Sequence, residues 1–368
     1  MPLTNDFNGK EQKGVGLYQF MNNKGKRSSA ASAFIDPQKN NPNLHLKLQT
    51  RVEKIIIENN KAIGVEYKNK NNENLKLFAS KEIILASGSF ITPKILMLSG
   101  IGNEEELSRI GIKCIASLPG VGENLIDHPE CPLIAKANGQ YGYYRQGQGW
   151  RMIKNGLQFL LFGKGPVNST GVEAGAFINP LDQDDLAYIQ AFFVPSIYMN
   201  SDTIGVIKDD YGMTITTVMT KPKSRGSVKL KSNNPEDMPV IELNLLKHKD
   251  DLRMMMAGQR FFLKALQEGD LGAKVKEIIL PDLKNLDDNN LAAHCKKFVR
   301  TNYHPSGTSK MGSDNDKMAV LDSKLRVRGV DNLRVCDLSS MPNINSGNTS
   351  APAIMLGLRC GDLLTNKG

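Results

Sequence analysis

One stretch near residue 90 constrains the fold of this chain more than any other. Residues 83–86 are a short apolar run that predicts a buried strand, and residues 87–89 form a tight turn. Thr92 then fits the N-cap of a helix, Pro93 its first position and Gly100 its end. A helix start of this kind offers free backbone N–H groups to a phosphate, although a simple strand–helix junction has the same pattern.

Periodicity predicts the remaining elements. Residues 1–40 predict loop, with a short helix from Ser28 to about Phe34, and residues 43–87 predict a β-meander that begins with alternating Leu44, Leu46 and Leu48. Segments 173–178, 186–194, 213–220 and 226–231 predict a mostly antiparallel sheet. Further helices are predicted at 103–110, 250–267, 287–299 and 352–364, and strands at 319–321, 325–327 and 333–335.

Composition argues against several classes of protein. The 368 residues include 47 Lys and Arg against 38 Asp and Glu, a net charge of +9 that is scattered, so we expect no nucleic-acid partner. Five cysteines without a CxxC argue against a disulfide framework, and no metal site is predicted. The sequence contains neither HExxH nor GxSxG, the motifs of zincins and α/β-hydrolases. No apolar run reaches about 18 residues, so we expect no transmembrane segment, and the first residues do not resemble a signal peptide.

Two later segments carry residues suited to catalysis. His304 lies in a loop beside Pro, Gly and hydroxyl residues, and imidazole is the commonest general base. Asp337 ends a strand, and a polar loop through Asn348 leads to the helix that begins around Pro352. Each residue also has a plainer interpretation: a surface histidine, an aspartate cap and a turn asparagine.

Taken together, these segments resemble the glucose–methanol–choline (GMC) family of FAD-dependent oxidoreductases. Residues 88–102 match the family's second signature at every fixed position, and residues 118–128 resemble its LPGVGxNLxDH segment. Residues 221–228 resemble its PxSRGxV segment, and residues 303–312 and 337–352 its C-terminal active-site segments. The stretch 27–34 is similar to the animal glucose-dehydrogenase-like branch. The resemblance extends over nearly the whole chain, in the family's order.

The resemblance implies catalytic roles for two residues. His304 occupies the position of the family's catalytic base, and Asn348 occupies its second active-site position. His304 would take the hydroxyl proton of an alcohol, the flavin N5 would take the hydride, and Asn348 would bind the substrate oxygen. His128 belongs to a matched motif and is interpreted as structural.

The resemblance also implies a cofactor, FAD, and residues that bind it. The matching positions are Val52, Ala86, Gly88, Asp337, Asn348 and Thr349. Val52, Ala86 and Gly88 would lie near the adenine, and Asp337 near the ribityl or pyrophosphate region. Thr349 and the last helix would face the pyrimidine edge of the flavin, where a helix N-terminus stabilises negative charge.

The implied fold is mixed α/β. We expect part of an FAD-binding domain in residues 1–130, a substrate domain with an antiparallel sheet backed by helices in 131–312, and the returning FAD-binding segment in 313–368. The family's opening strand–GxGxxG–helix unit has no counterpart in the sequence, because the glycine pairs at 14–16 and 120–122 lack that context.

Two hypotheses of function follow. The first is an FAD-dependent dehydrogenase acting on the CH–OH group of an alcohol or sugar-like substrate, with an external quinone-like acceptor or oxygen. The second is a shortened, non-catalytic remnant that serves as a binding module without flavin.

Overall fold

The computed structural model describes residues 1–23, 25–182, 184–198 and 210–365. The chain divides into two compact units, each built from three segments. Unit 1 comprises Met1–Asn40, His128–Lys223 and Leu246–Asn302, and unit 2 comprises Asn41–Asp127, Ser224–Leu245 and Tyr303–Gly368. The predicted domains 1–130, 131–312 and 313–368 concern what each part binds, and they stay a prediction.

The described residues form short strands and seven α-helices. The strands are β1 (Gly14–Leu17), β2 (Asn22–Asn23), β3 (Lys26–Arg27), β4 (Arg51–Glu58), β5 (Lys61–Lys68), β6 (Asn74–Phe78), β7 (Ile83–Leu85), β8 (Ile101–Gly102), β9 (Ala116–Ser117), β10 (Pro129–Ala137), β11 (Ala174–Ile178), β12 (Ile189–Val194), β13 (Gly212–Met219), β14 (Ser227–Lys229), β15 (Val240–Glu242), β16 (Val275–Leu280), β17 (Arg300–Thr301) and β18 (Leu333–Val335). The helices are α1 (Gly88–Leu98), α2 (Glu104–Arg109), α3 (Gly149–Phe162), α4 (Lys249–Gln267), α5 (Gly269–Gly272), α6 (Asp288–Phe298) and α7 (Ser350–Leu364). Among the described residues, no helix is both long enough and apolar enough to cross a membrane.

A seven-stranded antiparallel sheet organises unit 1. Its strands follow the order β1-β11-β12-β13-β10-β16, and β17 also pairs with β10. Helix α4 packs on β13 and β10, and α6 packs on α4. The core between them contains fully buried Leu133, Met255 and Leu291. This arrangement confirms the predicted antiparallel sheet backed by helices.

Unit 2 contains the predicted β-meander and the strand–helix junction. Strands β4, β5 and β6 form a three-stranded antiparallel sheet, and β7 pairs in parallel with β18. Helix α1 follows β7 and packs on β4, burying Ile95, Leu96 and Met97 in the core of this unit. The parallel pair therefore brings residue 86 and residue 336, which follow the two strands, to the same edge.

Several sequence predictions are wrong. Residues 44–48 form no strand, and Leu48 is exposed, because alternation alone provides no partner strand. Residues 319–321 and 325–327 are mostly buried but make only isolated bridges. Strand β14 pairs with β15 in unit 2 instead of joining the unit 1 sheet. Strand β1 lies within residues predicted as loop, and the sequence analysis missed α3.

Candidate active site

Asp337 fixes the junction between β7 and α1. Its Oδ2 accepts hydrogen bonds from the backbone N–H of Gly88 at 3.0 Å and from the hydroxyl of Thr92 at 2.6 Å. Its Oδ1 accepts from the backbone N–H of Ser339 at 2.8 Å. Three donors thus hold this carboxylate, which ties the end of β18 to the first turn of α1.

Helix α1 begins at Gly88, four residues before the predicted cap. Gly88 has a φ of +80°, a conformation that favours glycine, and this allows the chain to turn directly from β7 into the helix. Thr92 therefore lies inside the helix, where its Oγ1 accepts from the backbone N–H of Ser87 at 3.2 Å. The prediction of Thr92 as N-cap is wrong: the N-cap is Ser87, and the first N–H of the helix, that of Gly88, donates to Asp337, which is remote in sequence.

Pro93 leaves a gap in the hydrogen bonds of α1, and Thr308 fills it. Proline has no N–H to donate to the carbonyl four residues earlier, which belongs to Ser89. The buried hydroxyl of Thr308 donates to that carbonyl at 2.7 Å. The hydroxyl of Ser89 donates in turn to the carbonyl of Pro305 at 2.7 Å. These two bonds fasten the segment that follows His304 to the helix.

His304 is held with its imidazole buried, and only 8% of the residue is exposed. Its backbone N–H donates to Oδ1 of Asp127 at 3.0 Å, and its carbonyl accepts from the hydroxyl of Ser306 at 3.0 Å. Burial lowers the pKa of His304 to about 4, because a charged ring would lose its hydration. The imidazole is therefore neutral at pH 7 and has a lone pair with which to accept a proton.

Asn348 meets His304 directly. Nδ2 of Asn348 lies 3.5 Å from Nε2 of His304, at the outer limit of a hydrogen bond. Asn348 is exposed while His304 is buried, so the two side chains meet at the boundary between the interior of unit 2 and solvent. An amide and a neutral imidazole side by side can bind one hydroxyl group, the amide as a second polar contact to the oxygen and the imidazole as proton acceptor.

Thr349 precedes the last helix and is buried. Helix α7 begins at Ser350, two residues before the predicted start, and no side chain caps its N-terminus. Its first backbone N–H groups thus have no side-chain acceptor from the N-cap, and they lie next to Asn348 in sequence. A helix end of this kind suits a negatively charged ring edge.

The remaining predicted cofactor residues lie at two places in unit 2. Ala86 follows β7 and is exposed, and a Cβ added to nearby Gly88 would meet no atom within 4 Å. Val52 lies on β4, where it pairs with Tyr67 and packs beside the core. In unit 1, His128 is buried, and its carbonyl accepts from the backbone N–H of Asn302 at 3.0 Å; its structural role stays a prediction.

The donors present in unit 2 fit FAD. Open space beside Gly88 adjoins the start of α1, and the α7 start has backbone N–H groups without a side-chain cap. The N–H groups at the α7 start suit a polar or negatively charged ring edge, and the space beside Gly88 leaves room for a nucleotide next to the Asp337 carboxylate.

Sequence reasoning missed the residues that support the site. Asp127 accepts from the backbone N–H of His304, and Thr308 donates to the carbonyl of Ser89 in α1. The sequence analysis assigns a role to neither residue. Both lie in segments matched to family motifs. Pro93 inside a helix could have indicated such a contact, because proline has no N–H and another donor must bind the carbonyl four residues earlier.

Comparison with known proteins identifies the family. Residues 1–130 match the N-terminal model of the GMC oxidoreductases, and residues 222–357 match the C-terminal model. The two models together span most of the chain. The chain belongs to the GMC oxidoreductase family. This confirms the resemblance at family level, and the GMC family binds FAD, as expected.

The curated relatives of this GMC protein include dehydrogenases of alcohols and choline. It is 36% identical to the alcohol dehydrogenase [acceptor] of Pseudomonas putida, over 98% of this chain and 65% of that protein. It is 34% identical to the mitochondrial choline dehydrogenase of Homo sapiens, over 99% of this chain and 61% of that protein. The chain thus spans less than two thirds of the length of these relatives.

Solved structures share the fold. A variant of the formate oxidase of Aspergillus oryzae, solved to study modification of its FAD, superposes with a TM-score of 0.91 and 27% identity. The match covers 100% of this chain and 68% of that one. The mixed α/β fold predicted from the sequence is therefore confirmed.

Proposed function

We propose that this GMC protein is an FAD-dependent oxidoreductase that acts on the CH–OH group of an alcohol, choline-like or sugar-like substrate. The observation that carries the proposal is the pair of His304 and Asn348, a buried neutral imidazole in contact with an exposed amide. The names of the relatives, alcohol and choline dehydrogenases, support this substrate class. The motif at residues 27–34 favours the animal glucose-dehydrogenase-like branch.

His304 is the base in this proposal. Its low pKa keeps it unprotonated at pH 7, and the negative charge that develops on a substrate oxygen beside it raises that pKa as the proton moves. Proton transfer to a positioned base contributes about 10²–10⁴ in rate. Asn348 binds the same oxygen and orients the hydroxyl toward the imidazole.

The residues that would hold FAD are those at the two helix starts. Gly88 and Ala86 leave room at the β7–α1 junction, and Val52 lies on the strand that packs on α1. Thr349 and the first N–H groups of α7 would bind the polar edge of the ring. Asp337 would lie near the ribityl or pyrophosphate region, and its three protein donors fix the start of α1. When bound, FAD supplies the acceptor for the substrate hydride.

The test begins with the visible absorbance spectrum of the purified chain after FAD is added and free cofactor removed. We expect a retained flavin band that bleaches anaerobically when choline or a primary alcohol is added. His304→Ala should keep the band and reduce the bleaching rate at least about 100-fold. The matched control is His45→Ala, an exposed loop histidine that should change neither.

Two results would count against the proposal. Full substrate-driven bleaching in His304→Ala would remove His304 from the chemistry. Absence of any flavin band would favour the non-catalytic binding module.

A further inference from the structure

Helix α3 presents an apolar face to solvent. Trp150, Ile153, Leu157, Leu160 and Leu161 recur at spacings of three and four residues, which place them on one side of the helix. All five are exposed, Trp150 to 69%, Leu160 to 79% and Leu161 to 71%. Contiguous exposed apolar surface on a folded unit marks a site of interaction.

The opposite side of α3 is anchored through polar groups. Asn155 is the one residue of the helix that is buried, and its Nδ2 donates to the carbonyl of Gln146 at 2.9 Å. Nη1 of Arg151 donates to the hydroxyl of Tyr211 at 3.1 Å. These polar contacts attach the helix to unit 1, while the five apolar side chains face solvent.

The chain segment that carries α3 has charged residues of one sign only. Residues 131–172 contain no Asp or Glu, and their basic residues are Lys136, Arg145, Arg151, Lys154 and Lys164. Lys136 pairs with Glu277 at 3.5 Å. The other four form no salt bridge within the described part of the chain. Lys154 adjoins the apolar face, with its Nζ 5.9 Å from the ring centroid of Trp150. An apolar face in a segment with an excess of cations complements a surface that is both apolar and anionic.

We propose that α3 binds the surface of an anionic lipid bilayer and lies in its plane. Trp and Leu side chains on one face, with Arg and Lys at its borders, are the composition of interfacial helices. The 14 residues of α3 measure about 21 Å, less than the roughly 30 Å of the hydrocarbon core, so the helix lies along the interface. A second copy of this chain is a poorer occupant, because a symmetric contact would bring like charges together.

Trp150 provides a direct readout, because it is the only tryptophan in the chain. The full chain is mixed at low salt with vesicles of phosphatidylcholine alone or with 30 mol % phosphatidylglycerol. We expect the anionic vesicles to shift the Trp150 emission to the blue and to carry the chain upward in a flotation gradient. Partition into neutral vesicles should be at least about tenfold weaker, and added salt should weaken binding to the anionic vesicles. No shift with either vesicle, or equal binding to both, would overturn the proposal.

Matched variants distinguish binding through α3 from nonspecific adsorption of the chain to vesicles. Leu160→Gln/Leu161→Gln should abolish vesicle binding, with an unchanged circular dichroism spectrum since both side chains are exposed. The control Leu3→Gln/Leu17→Gln changes two exposed leucines of the same unit, 87% and 69% exposed, and should bind as the wild type does. Lys154→Gln/Lys164→Gln should weaken anionic binding by about tenfold or more.

Two results with these variants would contradict the proposal. One is equal loss of binding in the control pair. The other is a stable dimer of the wild-type chain that only the Leu160/Leu161 variant dissolves, because the face would then belong to a second copy.

Discussion

At the scale of single residues, the contact between His304 and Asn348 links burial to chemistry. Burial lowers the pKa of His304 to about 4, so the ring is neutral at pH 7. The neighbour that reaches Nε2 is an amide, which does not change charge with pH. The protonation state of this site is therefore set by desolvation of one side chain.

The pH dependence of substrate-driven flavin reduction should follow from that pKa. In the wild type, kcat/KM should fall only as pH drops toward about 4, since His304 binds a proton only there. Asn348→Asp places a carboxylate about 3.5 Å from Nε2, which favours the charged imidazole and moves the acid limb to higher pH. Asn343→Asp, an exposed change in the same loop, is the control and should leave the limb in place. An acid limb that stays fixed in Asn348→Asp would remove His304 as its source.

The hydroxyl of Thr92 gives a second prediction, at the same scale. It donates to Asp337 at 2.6 Å and is fully buried, so Thr92→Val leaves the carboxylate short of one donor. We expect the free energy of unfolding to fall by about 1–3 kcal/mol, measured by urea denaturation. Thr92→Ser keeps the hydroxyl and should cost less. A Thr92→Val variant as stable as the wild type would show that the hydrogen bond to Asp337 contributes nothing to stability.

At the scale of elements, α1 shows how two distant segments complete one helix. Thr308 supplies the hydrogen bond that Pro93 cannot, so the two residues should be coupled. Thr308→Val in the wild type should destabilise the protein by about 1–3 kcal/mol, because the carbonyl of Ser89 is left unpaired. In a Pro93→Ala background, the introduced alanine restores the backbone donor and the same change should cost less. Additive losses in this double-mutant cycle would show that the two residues act independently.

The elements also show what the sequence could and could not predict. Helices α4 and α6 were predicted nearly to the residue, because their apolar periodicity and their caps are local. The predicted start of α1 is wrong because the acceptor of its first N–H group is Asp337, which only the pairing of β7 with β18 brings near. For α3 the spacing of Trp150, Ile153 and Leu157 is helical, yet its apolar face is not buried, and pattern alone does not tell which side faces the core.

The same distinction applies to the candidate site. The resemblance to family motifs assigned roles to His304 and Asn348, and the structure brings them together in unit 2. The roles of Asp127 and Thr308 could not be predicted, because both residues bind backbone groups of other residues. Such contacts depend on tertiary structure, which no single motif encodes.

At the scale of the whole molecule, each unit contains a buried histidine whose pKa is lowered, and this couples stability to pH. His294 in unit 1 and His304 in unit 2 both have a pKa lowered to about 4, mainly by burial. The unfolded chain binds these protons near the ordinary value of 6.5, while the folded chain does not bind them until about pH 4. The contribution of the two neutral histidines to the free energy of unfolding is therefore fully present above about pH 6.5, and it is lost as the pH falls toward 4.

The expected loss between pH 7 and pH 5 is about 2 kcal/mol for each histidine. Carboxylates whose pKa is lowered, such as those of Glu82 and Asp322, reduce the free energy of unfolding mainly below about pH 4.5. The loss expected between pH 7 and pH 5 therefore comes mainly from the histidines. Urea midpoints at the two pH values should differ strongly in the wild type. They should differ less in His294→Asn, which removes the buried imidazole of unit 1, whereas the exposed His45→Asn should keep the wild-type difference. If His294→Asn leaves the pH dependence intact, the acid sensitivity of the fold must come from groups other than this buried ring.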